Sequence, residues 1–101
     1  MRIKAALFGV VLAVAAIGPA TVCPITSDPS DFPLFRILIE PSLSNGLHLP
    51  SRVMADKVAT VPRIELGRRI GRLSDTEMTY VDRALLVFLG LAPLRDLLPA
   101  G

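Results

Sequence analysis

Apolar positions recur along this chain at two spacings, and the spacings divide it. From residue 75 onward, Met78, Val81, Leu85 and Phe88 fall three or four apart, with Asp82 and Arg83 off that line. This spacing predicts an amphipathic helix over 75–89. Its start is marked by Ser74-Asp-Thr-Glu77, a pattern in which the serine hydroxyl accepts from the Glu77 N–H and the glutamate returns to the Ser74 N–H. Asp75 and Glu77 also sit where the helix dipole favours negative charge. Gly90 is placed to end the helix and Pro93 prevents its continuation. Leu86, Val87 and Leu89 widen the apolar face, which predicts a largely buried last turn.

Upstream the period is two. Phe35, Ile37 and Ile39 alternate with Arg36 and Leu38, a strand with one apolar face. Residues 52–61 are rich in Val and Thr between Pro50 and Pro62, with neither face clearly polar, and this reads as a central strand. Residues 21–26 are β-prone, and Pro24 inside them argues for an edge or a bulge. Residues 27–33 are turn-forming. The stretch 41–50 is a loop around Asn45-Gly46, so 35–39 and 52–61 are expected to form an antiparallel hairpin with a long connection. Residues 69–73 have strand-like ends and a glycine that marks a bulge.

The first 20 residues are different. Arg2 and Lys4 precede an uncharged run from Ala5 to Ala20 that ends in Gly18-Pro-Ala20. This is signal-like, though short for a membrane span. Three readings stand: a signal or membrane segment, a miscalled or frame-shifted start, and a divergent first strand. The formal net charge of +2 comes from this segment, because residues 21–101 carry nine basic and nine acidic residues. A generic electrostatic grip on nucleic acid is therefore not supported, and any such contact must be local. With 101 residues the chain is one domain at most, read here as 21–92 followed by a tail at 93–101.

A few side chains stand out as chemistry. Thr26 ends a strand before a turn, where its hydroxyl serves either a local ST-turn or a ligand; Ser27 beside it has the same two readings. Asp56 lies in an otherwise apolar strand and must be paired or exposed. Lys57 and Arg52 are its nearest candidate partners. Arg63, Arg68, Arg69 and Arg72, offset only by Glu65, form the one basic cluster. Guanidinium forks suit phosphate or an acidic partner, and the plain alternative is a solvated face. His48 reads as an exposed loop residue and Cys23 as a small buried hydrophobe without a disulfide partner. There is no zinc-type spacing, Gly-rich phosphate loop or G-x-S-x-G.

The series PSRVMADKVATV, LGRRIGRLSD and the short helix ending VFLGL resembles the MazF/PemK family, the toxins of type II toxin–antitoxin pairs. The similarity extends upstream through Asn45-Gly46-Leu47 and 35–41 to residues 21–28, so it covers roughly 21–92. The resemblance implies a mainly β fold with a C-terminal helix: a small SH3-like barrel or bent antiparallel sheet of the MazF/PemK/CcdB type. The usual first strands are expected to be missing, which leaves a bare sheet edge. It implies a metal-independent endoribonuclease acting on single-stranded RNA, without a cofactor. It further implies a cytoplasmic homodimer that binds a cognate antitoxin and meets operator DNA only through the toxin–antitoxin complex. A membrane role is not part of that picture, although residues 1–20 leave a secreted or tethered form open.

By the same resemblance Thr26 and Asp56 are the catalytic positions. Ser27, Arg52, Lys57, Arg68, Arg69 and Arg72 are candidates for holding RNA or antitoxin. Two departures matter. In the PemK branch an arginine stands two residues before the aspartate, where this chain has Met54. The family's Arg-Pro loop has no counterpart, since no Arg-Pro dipeptide occurs. Losing one preorganised donor to developing charge costs roughly a hundred- to a thousandfold in rate, so feeble cleavage is expected. The alternative is a non-catalytic toxin fragment that binds antitoxin or dimerises.

Overall fold

A computed structural model describes residues 6–7, 11–13, 19–28 and 34–97 of the chain. Two short strands, β1 (Ala6–Leu7) and β2 (Val11–Ala13), precede β3 (Ala20–Thr26). Then come β4 (Arg36–Ile39), β5 (Ser51–Met54), β6 (Ala59–Val61), β7 (Gly71–Arg72) and the helix α1 (Asp75–Phe88). All described pairings are antiparallel, in the order β4-β5-β3-β2-β1-β7, with β6 also beside β3. The result is an open antiparallel sheet with one C-terminal helix, the fold class that the family resemblance implies.

Pro24 governs how the sheet is laid out. Along one side of β3, β5 pairs with Ile25 and Thr26, and β6 pairs with Ala20, Thr21 and Val22. The stretch between, Cys23 and Pro24, has no partner there, and Pro24 has no N–H to give a ladder. Opposite it the partner strand leaves the sheet as a single 3₁₀ turn, Ala55–Lys57, and the register slips by the three residues of that turn. The expected continuous strand over 52–61 is therefore two strands. β5 is central between β3 and β4, while β6 has only β3 beside it among the described residues.

The core lies between the inner sheet face and α1. Leu12, Cys23, Ile39 and Val53 meet Leu73, Met78 and Val81, with Ile25, Ile37, Leu47, Val58 and Leu85 packed around them. The helix starts as predicted. Glu77 N–H donates to Ser74 Oγ at 3.1 Å, and Ser74 N–H donates to Glu77 Oε1 at 2.9 Å. It ends at Gly90, whose φ of +78° allows Leu91 N–H to reach Leu86 C=O at 2.7 Å and Gly90 N–H to reach Val87 C=O at 3.1 Å. These two bonds satisfy the last-turn carbonyls in the manner of a Schellman ending. The apolar stripe is rotated from the expected one. Met78, Val81 and Ala84 are buried and Leu85 half-buried, while Leu86, Phe88 and Leu89 remain exposed, so the last turn is not buried.

The N-terminal expectation also needs correction. β2 pairs with β3 and β1 with β2, so the edge of β3 expected to be bare is covered. The parts of the signal-like segment at 1–5, 8–10 and 14–18 lie outside the described residues. No helix among those described is long and apolar enough to cross a membrane. Of the strand expected at 69–73, only Gly71 and Arg72 are in a ladder, against β1.

The two ends of the sheet are bridged by the loop between β4 and β5. Asn45 is fully buried: its Oδ1 accepts from Ser42 N–H and Leu47 N–H, both at 2.9 Å, and its Nδ2 donates to Glu40 C=O at 2.8 Å. This shape presses the loop onto β7. Arg72 N–H donates to Ser44 C=O at 2.9 Å, and a side chain on Gly71 would collide with the Asn45 carbonyl.

Candidate active site

Strand alternation puts Val53, Ile25 and Ile37 inward and leaves the neighbouring residues on the outer face of β3, β5 and β4. At one end of that face, Ala20 and Val22 are covered by Val61 and Leu66. At the other end Leu38 is exposed and Thr26 and Arg52 are half-buried. There Thr26 stands directly opposite Arg52, and Arg52 directly opposite Leu38. Side chains so placed have Cβ atoms about 5 Å apart. One step along the strands, Met54 stands opposite Arg36 on the same face.

For the Thr26 hydroxyl the local reading is realised. Its Oγ1 accepts from Asp28 N–H at 3.1 Å, an ST-turn that fixes the rotamer. The hydroxyl hydrogen is left to donate outward. Arg52 reaches across to the same turn, its Nη1 3.5 Å from the Asp28 carbonyl. That contact is long and leaves most of the guanidinium's donors for a ligand. Ser27 is exposed beside them.

Asp56 sits on the 3₁₀ turn that follows β5. Its partner is neither Lys57 nor Arg52 but Arg36, in a two-pronged pair: Nε to Oδ1 at 2.8 Å and Nη2 to Oδ2 at 3.0 Å. The arginine side chain is 6% exposed and the aspartate 27%. Hydrogen bonding from Arg36 holds the Asp56 carboxyl below its ordinary range, helped by the Arg36 charge, its own backbone N–H and Lys57, and opposed by burial. Asp56 is therefore an acceptor at neutral pH, not a proton donor. Lys57 points to solvent.

The predicted residues thus fall into two groups. Thr26, Ser27 and Arg52 converge, and Asp56 lies at the end of the same strand. Arg68, Arg69 and Arg72 do not join them: they are exposed, and β7 lies beyond β2 and β1 in the order. Arg69 Nε makes only a 3.4 Å contact to Gly71 C=O. His48 is exposed and Cys23 buried, as expected. Burial, and secondarily the Asp56 charge, pushes the Cys23 thiol up to about 11, so it is a poor nucleophile. The residue that sequence reading passed over is Arg36. The rule applied to Asp56, that a charge in an apolar strand needs a partner, applies equally to this arginine in Phe35-Arg-Ile-Leu-Ile39.

The sequence pattern of the PemK-like, MazF-like toxin of type II toxin–antitoxin systems matches residues 10–89. The chain belongs to the PemK/MazF toxin family. The match starts within the N-terminal segment, upstream of the 21–92 stretch that carries the resemblance. The chain is 53% identical over 77 residues to a probable endoribonuclease MazF of Mycolicibacterium smegmatis, covering 76% of this chain and 71% of that protein. It is 31% identical over 74 residues to the endoribonuclease MazF9 of Mycobacterium tuberculosis, covering 73% of this chain and 62% of that one. Its fold superposes on the M. tuberculosis toxin MazF-mt6 with a TM-score of 0.64 at 29% identity, over 75% of this chain and 74% of the other. Membership in this family implies an antitoxin partner and an RNA substrate for a PemK/MazF toxin.

Proposed function

We propose that this toxin is a metal-independent endoribonuclease, and that the Thr26–Arg52 pair is where it holds the scissile phosphate of single-stranded RNA. The observation that carries this reading is the direct cross-strand placement of a locked hydroxyl and a largely unengaged guanidinium on one sheet face. The relatives named as endoribonucleases support the reaction class. In the reaction, the ribose 2′-oxygen attacks the adjacent phosphorus and its proton passes to the Asp56 carboxylate. The bond to the 5′-oxygen breaks, and that oxygen takes a proton from water. The products are a 2′,3′-cyclic phosphate and a free 5′-hydroxyl. Thr26 and Arg52 donate to the non-bridging oxygens, where charge builds in the transition state. Arg52 takes the place of the arginine that relatives carry in an Arg-Pro loop.

In this reading the protein acts in the cytoplasm. Two copies pair through apolar surface that includes Leu86, Leu89 and Leu91, all exposed at the end of α1. Operator DNA is met only through the antitoxin. The test is gel cleavage of a long single-stranded RNA in excess EDTA. Cutting that yields cyclic-phosphate ends and is lost in both Thr26→Ala and Arg52→Ala is expected. Cutting that needs added metal, or that survives both substitutions, refutes the site.

A further inference from the structure

We propose that Arg36 is a positioning residue for this reaction: it aims the Asp56 carboxylate at the substrate from beneath, without touching RNA itself. The inference rests on the reading of Asp56 as the proton acceptor, and it assigns a role to a strand outside the Thr26–Arg52 pair.

A single 3₁₀ turn is a poor mount for a reacting group. Its own backbone offers one long bond, Val58 N–H to Ala55 C=O at 3.3 Å. Two cross-links to β4 supply the missing rigidity. Ala55 N–H donates to Phe35 C=O at 3.0 Å, and one residue further on the Arg36 fork grips both oxygens of Asp56. Two parallel N–H to oxygen bonds fix the plane of the carboxylate as well as its position. Each oxygen keeps a further lone pair for a substrate hydroxyl. The exposures give the direction: the arginine is covered and the aspartate is the part that meets solvent.

The backbone ahead of Arg36 is strained in the same service. Phe35 has φ of +63°, a left-handed conformation that is an outlier for a bulky side chain. It is held from both sides, by the bond to Ala55 and by its ring, which meets the Phe88 ring edge-on at 5.3 Å and 74°. Strain of this kind persists only where surrounding contacts impose it. Here they fix the residue next to Arg36, so α1, β4 and the turn together set where the carboxylate points.

A salt bridge that merely ties two segments together predicts different behaviour, and single-turnover cleavage in EDTA separates the cases. The variants are Arg36→Gln, Arg36→Lys, Asp56→Asn and the Arg36→Gln/Asp56→Asn double, each with its thermal midpoint. Arg36→Gln is expected to lower the cleavage rate roughly ten- to a hundredfold, as misplacing a reacting group by about 1 Å does. RNA affinity should stay within about twofold, and Arg36→Lys, a cation without the fork, should fall between. In the Asp56→Asn background the same Arg36→Gln change should cost less than about twofold, because there is no carboxylate left to aim. Equal loss in both backgrounds, or a lowered midpoint with the rate kept, overturns the positioning role. If Arg36→Gln does not fold, Arg36→Lys carries the test, and a full rate in it refutes the role. A silent Asp56→Asn refutes the proton-acceptor reading itself. A damaging Asp56→Asn beside a silent Arg36 series refutes only the positioning role.

Discussion

The molecule has two arginine-bearing regions, and they are built in opposite ways. Arg68, Arg69 and Arg72 are neighbours in sequence, yet in space they are exposed side chains at the β7 end of the sheet. Arg36 and Arg52 are far apart in sequence, yet adjacent strands place them diagonally on one face, one locked to Asp56 and one beside Thr26. The first region offers solvent-exposed charge, and the second pairs one arginine fixed by a two-pronged bond with one held beside a fixed hydroxyl. Exposed cations raise encounter and affinity and weaken with salt, whereas fixed donors stabilise a transition state.

The largest effects that test this contrast are on rate. Thr26→Ala or Arg52→Ala should each cut the cleavage rate by roughly a hundred- to a thousandfold. Changing Arg68, Arg69 and Arg72 together to alanine should leave the bound-complex rate nearly intact. RNA binding should weaken instead, and the slope of log affinity against log salt should flatten by up to about 2, at roughly 0.7 per lost phosphate contact. A rate collapse in the triple variant with unchanged binding would erase the distinction between the regions.

A smaller effect separates them by stability. Gly71→Ala forces a methyl group against the Asn45 backbone and should lift the β4–β5 loop off β7. Overpacking of this sort costs about 1–3 kcal/mol, readable in urea unfolding. The site strands are not involved, so the cleavage rate per folded molecule should hold.

The smallest effect is a pH term confined to the Asp56 end. Because folding lowers this carboxyl's pKa, the pair's contribution is fully present above the unfolded value of about 3.9 and is lost as pH falls through the folded one. Wild type should therefore lose stability more steeply than Asp56→Asn when acidified below about pH 4. Parallel acid curves would show that the Arg36 fork contributes nothing to folding.

The helix was the most legible part of the sequence, because Ser74, Glu77 and Gly90 act through bonds a few residues long. β3, β4 and β5 were legible from local composition and alternation, whereas β1 and β2 lie where the usual first strands were expected to be missing. What the sequence hid were long-range decisions. Residues 52–61 read as one strand, and their division depends on Pro24 in a different strand. The exposure of Leu86 and Leu89 depends on which face of α1 meets the sheet. Thr26 and Arg52 stand far apart in the sequence, and only the β3–β5 register makes them a pair. The partner of Asp56 is not a chain neighbour and lies 20 residues away.

The sheet is sealed by a docked loop rather than by a ladder between β4 and β7, and this determines where the protein breathes. Every residue of β3 from Ala20 to Thr26 has a strand partner on at least one side. Among the described residues β1 and β7 meet over two residue pairs. Local opening starts where few bonds must break together. Amide hydrogens of Gly71 and Arg72 should therefore exchange with deuterium well before those of β3. On this account the toxin parts along its β7 seam while the strand that carries Thr26 stays closed, which keeps that opening away from the proposed site.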